Sequence, residues 1–92
     1  MTDIPGRQQL TGYRLRDPGT FGPTLGILRH QRGVTRRMLA ARIAVATGRD
    51  EKSVYQQLAA WENAQKTPNM SSLREVLAAL DLDLALIPRE EA

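Results

Sequence analysis

Between Ser53 and Asn63 the sequence reads SVYQQLAAWEN, which gathers a phenol, two long amides and two methyl side chains into one short run. A glutamine amide can pair with the N6 and N7 edge of adenine, and an alanine methyl can rest against the methyl of thymine. Val54, Leu58 and Trp61 recur at i, i+4 and i+7, one apolar stripe of a helix, and that spacing accounts for Trp61 as a core residue. Ser53, Gln56, Gln57 and Ala60 then point elsewhere, where packing does not ask for long amides. At this level two readings stand side by side. One is a solvated helix face, for which Gln is well suited; the other is a surface that reads a partner.

The charges carry a second signal. Residues 1–66 hold 11 basic and 5 acidic side chains, a balance of +6, and residues 67–92 hold 2 basic and 5 acidic, a balance of −3. Arginine supplies 11 of the 13 cations, and its planar fork of donors suits phosphate and guanine edges where lysine offers a point charge. A basic body with an acidic end suits a polyanion on one side, or is ordinary charge scatter. Arg37, Arg49, Lys52 and Ser53 are candidates for phosphate contact on this ground, against a solvated surface as the alternative.

Other chemistries are poorly provided for. The chain has 92 residues, no cysteine and a single histidine, His30, so a disulfide framework, a thiolate nucleophile and a His-rich metal site are excluded. No Gly-rich phosphate loop is present. Asp81 and Asp83 share a face of a candidate strand, where solubilising that face explains them better than a metal. The expectation is a protein that is not an enzyme, with no cofactor and no metal. No apolar run approaches the roughly 18 residues of a membrane span, and MTDIPGRQQL lacks a signal peptide's apolar region. A cytoplasmic or nucleoid-associated protein without a membrane partner is expected.

The elements that must position these residues follow from local signals. Residues 1–20 are rich in Gly, Pro and Arg without apolar period and read as a flexible basic arm. A first helix is expected from about Gly22 or Pro23, with Phe21, Leu25 and Leu28 inward and Gly33 as its stop. Thr35 caps a second helix to about Ala46 with Leu39 and Ile43 inward, and Gly48 ends it. Asp50 caps a third helix to about Asn63, and Asn69 caps a fourth with Leu73, Val76, Leu77 and Leu80 inward. In residues 82–88 the period changes to 2, with Leu82, Leu84 and Leu86 alternating and Pro88 as the stop. A lone strand has no partner in its own chain, so pairing with the same strand of a second subunit is expected, an irregular tail being the alternative. A core this small also favours a homodimer. Residues 89–92 are a tail.

A capped helix, a break and a helix with exposed polar residues describe a helix-turn-helix. LGILRHQRGVTRRMLAARIA resembles the first two helices of the lambda-repressor and Cro (XRE-type) family in its Leu28-Arg29 pair, its Gly33-Val34-Thr35 turn and its Leu39-Ala40. Trp61-Glu62-Asn63-Ala64 and Lys66-Thr67-Pro68 are similar to the end of that family's third helix, with Ala64 where Gly is usual. AVATGRDEKS is about eight residues longer than the family's tight turn, so either both helices are extended or a loop bulges there. The resemblance covers roughly residues 21–80. It implies an all-α, four-to-five-helix domain over 21–81 whose third helix lies in the major groove of double-stranded DNA. It also implies base contacts from Tyr55, Gln56 and Ala60, a base or phosphate contact from Gln57, and phosphate contacts from Arg36, Asn63 and Lys66. The C-terminal run resembles antitoxin-type repressors that pair a strand between subunits. The function so implied is a dimeric, sequence-specific repressor of a palindromic operator, phage or bacterial. The alternatives are an antitoxin that holds a toxin protein and autoregulates, and a protein-interaction module without DNA binding.

Overall fold

The computed structural model describes residues 17–85. The expected arm therefore lies outside the described residues up to position 16, as do Leu86, Pro88 and the tail. Asp17 opens the described chain, its carboxylate accepting from the Gly19 amide at 3.0 Å to start a 3-10 turn, Pro18–Thr20. Four helices follow: α1 Phe21–Gln31, α2 Arg36–Thr47, α3 Glu51–Glu62 and α4 Met70–Ala79. The architecture is all-α, and no strand occurs among the described residues.

The helix starts follow side-chain chemistry. Thr35, Asp50 and Asn69 each sit in extended backbone, and each side-chain oxygen accepts from an amide three residues on, at 3.0, 2.9 and 2.8 Å. Each bond satisfies a donor that the first turn of a helix leaves without a partner. The ends are equally local. Gly33, Ala64 and Asp81 adopt left-handed backbone, and the residues after them donate back to Arg29, Ala60 and Leu77, the pattern of a Schellman stop. Gly48, with φ of 76°, ends α2. The extra length between the second and third helices is absorbed by the helices themselves: only Gly48-Arg49-Asp50 links α2 to α3.

The core is built around α3. Val54, Leu58 and Trp61 turn inward and pack with Leu25 of α1 and Leu39 and Ile43 of α2 in one buried cluster, which Leu73, Val76 and Leu77 of α4 complete from the side of α2 and α1. Burying such side chains contributes roughly 1.5–3 kcal/mol each. The crossing of α1 over the end of α3 depends on Gly22. A Cβ there would stand 2.0 Å from the Trp61 carbonyl oxygen, so only a residue without one lets the two backbones meet. Leu80 closes the base of the core, and the guanidinium groups of Arg32 and Arg42 donate to the carbonyls of Asp81 and Ala79 at 3.0 and 3.1 Å. These two bonds tie the end of α4 to the turn after α1 and to α2, and so fix where the chain leaves the body.

Candidate nucleic-acid interface

With Val54, Leu58 and Trp61 inward, the remaining faces of α3 are set by its geometry of about 100° per residue. Lys52, Gln56 and Asn63 lie within roughly 40° of one another on the side opposite the core, and all three are exposed. Ala59 and Ala60 flank them and are partly covered. Tyr55 and Gln57, though exposed, stand to opposite sides, roughly 200° apart about the axis. The residues expected to read bases are therefore split. Gln56 and Ala60 share the outward side, Tyr55 leans toward α2, and Gln57 leans away.

Tyr55 has a neighbour that explains its direction. The Arg36 guanidinium lies over its ring, 5.6 Å from the centroid, within the range of a cation–π contact. Arg36 also donates from Nη2 and Nε to Glu62 Oε1, at 3.0 and 3.3 Å. The same carboxylate accepts from Arg29 Nη2 at 2.8 Å and Nε at 2.9 Å, and Arg29 spends its remaining reach on the Val34 carbonyl at 3.0 Å. Two guanidinium groups thus converge on one carboxylate whose side chain is 5% exposed. Burial works against the charge of Glu62, but the hydrogen bonds and charges of Arg29 and Arg36 outweigh it and hold the carboxyl below its ordinary range. The Arg36 guanidinium is held above its ordinary value by Glu62 and Tyr55, against the opposing effect of its own partial burial.

The other expected phosphate ligands spread around this centre. Arg37 is exposed on the first turn of α2, beside Arg36, and makes no ion pair among the described residues. Arg49 is engaged instead: its guanidinium pairs with Glu75 of α4 and donates to the Thr47 hydroxyl at 3.2 Å. The Ser53 hydroxyl donates to the capping carboxylate of Asp50 at 3.1 Å. Asn63 and Lys66 are exposed around the stop of α3, where the Ala60 carbonyl accepts the amides of Gln65 and Lys66. The exposed edges of α2 and α3 thus bring Arg36, Arg37, Tyr55, Gln56, Lys52 and Asn63 onto one contiguous pair of helices, while Arg49 is tied toward α4. No group of His, Cys, Asp or Glu suited to a metal occurs among the described residues.

Of the expected dimer contacts, Leu82 is half-buried against the core, its amide bonded to the Leu77 carbonyl at 2.8 Å. Leu84 is 44% exposed. Residues 82–85 have no regular secondary structure, and residues 82–84 with α4 border a groove of about 700 Å³ lined in part by Met70, Leu77, Leu82 and Leu84.

Two residues of the site escaped sequence reasoning except as motif letters. Arg29 and Glu62 stand 33 positions apart, and nothing local marks them as a buried pair. The available signal was an arginine on the inward side of α1 close to Leu25. No protein-family model matches the chain, and neither a curated protein nor a solved structure matches it. No helix among the described residues is long and apolar enough to cross a membrane.

Proposed function

We propose that this protein is a sequence-specific DNA-binding regulator of the helix-turn-helix type, acting as a dimeric repressor on a palindromic operator. One observation carries the reading: α3 is anchored by one side only, and its opposite side offers Lys52, Gln56 and Asn63 to solvent beside the arginine-bearing start of α2. A helix so mounted can enter the major groove while the first turn of its neighbour grips a phosphate through the exposed Arg37 and its leading backbone amides. The excess of basic residues before position 67 favours a polyanionic partner. Resemblance to the lambda-repressor and Cro family supports the same assignment. In it, residues 82–88 pair between subunits and set two α3 helices about one DNA turn apart, roughly 34 Å.

Selection from random duplexes tests the reading, followed by affinity measurements on the winner at several salt concentrations beside Gln56→Ala. Enrichment of an inverted repeat, with relaxed preference in the variant, is the expected outcome. Weak binding with no enriched motif and no effect of the substitution sinks it. A second reading, an antitoxin that also holds a toxin protein, is favoured by the partly apolar groove beside α4 with its exposed Met70 and Leu84. Co-purification with a partner protein that protects this groove distinguishes it.

A further inference from the structure

Lys52, Gln56 and Ala60 stand at i, i+4 and i+8 and form a ridge along α3, rising about 6 Å per step. Base pairs stack about 3.4 Å apart, so one step of the ridge matches roughly two base pairs. The chemistry of the ridge is selective. α3 contains no arginine, and the guanidinium that lies over its exposed Tyr55, that of Arg36, is committed to Glu62 and that ring. The ridge of α3 itself therefore lacks the bidentate donor that most often recognises guanine. What it presents instead is the exposed amide of Gln56, suited to adenine N6 and N7, and the partly covered methyl groups of Ala59 and Ala60. Small side chains there let the floor of the groove approach closely, so that a thymine methyl can be covered. Lys52, the only cation of the ridge, stands at its N-terminal end beside the acids Asp50 and Glu51, where it suits the flanking backbone.

We propose that this ridge reads a half-site centred on A·T pairs, with Gln56 on an adenine and Ala60 against a thymine methyl about two base pairs away. The assignment rests on the DNA-binding reading above and names the kind of sequence that α3 takes. The test uses the full chain and the duplex recovered from random selection, with each thymine replaced in turn by deoxyuridine, beside Gln56→Ala. Deoxyuridine lacks only the methyl group and leaves the protein untouched, so folding does not confound it. One adenine position should lose a preference of about 5- to 100-fold in Gln56→Ala. One thymine within about two base pairs of it should weaken binding about 4-fold when its methyl is removed. Guanine or cytosine at the position that responds to Gln56→Ala, or tolerance of uracil at every thymine, overturns the proposal. Binding without any enriched motif overturns it while leaving nucleic-acid affinity in place. Failure to bind any duplex removes the DNA-binding reading as well.

Discussion

Glu62 carries two guanidinium partners on one carboxylate, and one of them, Arg29, is 7% exposed. Replacing Glu62 leaves that arginine without its carboxylate partner, and breaking a buried pair from one side costs about 3–5 kcal/mol. Glu62→Gln keeps the shape and removes the charge, so its cost should approach about 3 kcal/mol at neutral pH. The pH dependence gives a sharper signature. The folded carboxyl titrates below its unfolded value of about 4.3. Its contribution is therefore present in full above that value and is lost as pH falls through the depressed folded one. Urea unfolding at pH 7 and at pH 3 should show the gap between wild type and Glu62→Gln narrowing in acid; a gap of constant size would mean that Glu62 adds nothing through its charge. The residue scale is also where the sequence was least legible. Thr35, Asp50 and Asn69 could be named as caps because a cap bonds three residues along its own chain. The partners of Glu62 lie 33 and 26 positions away, and only the crossing of three helices brings them together. Arg36 and Tyr55 were each legible as candidates for DNA, but not as neighbours of each other.

At the scale of the element, α3 is a long helix given a direction by its two ends. Asp50 starts it, and the short link from Gly48 to Asp50 holds it against α2, so the extra residues of AVATGRDEKS lengthen helices instead of forming a loop. Sequence periodicity offered both outcomes because Ala, Val and Thr fit the end of a helix as readily as a bulge; the left-handed Gly48 settles it. The other end is less comfortable. Ala64 occupies left-handed backbone, φ 61°, where a Cβ is strained by about 1–2 kcal/mol. Glycine relieves that strain but has more freedom to lose on folding, so Ala64→Gly should stabilise the protein by about 0.5–1 kcal/mol. For a domain of this size that is a rise in melting temperature of about 2–8 °C. An unchanged or lower melting temperature would show that the strain at Ala64 is relieved by other means.

On the scale of the whole molecule, the proposed function requires a body this small to present two reading helices to one site. The end of α4 is fixed by Arg32 and Arg42, so the segment after it leaves in a set direction relative to α2 and α3. Alternation alone made Leu82 and Leu84 equivalent, but their surroundings differ. Leu82 completes the stop of α4 and covers the core, whereas Leu84 is left 44% exposed at the edge of the α4 groove. A substitution at Leu82 would therefore confuse folding with assembly, and Leu84 is the position that isolates assembly. In the proposed dimer Leu84→Asp places a like charge on both sides of a two-fold contact, next to Asp83, while leaving the core intact. Sedimentation should find the wild type as a dimer and Leu84→Asp as a monomer, with unchanged helical content. Because the second half-site is engaged within an already bound complex, loss of the dimer removes an advantage on the order of 100-fold or more in affinity for an inverted repeat. Affinity for a single half-site should scarcely change, since neither α3 nor the start of α2 is touched. Two dimers would move the subunit contact away from residues 82–88 and leave the groove beside α4 for a different protein, whereas two monomers would overturn the dimer itself.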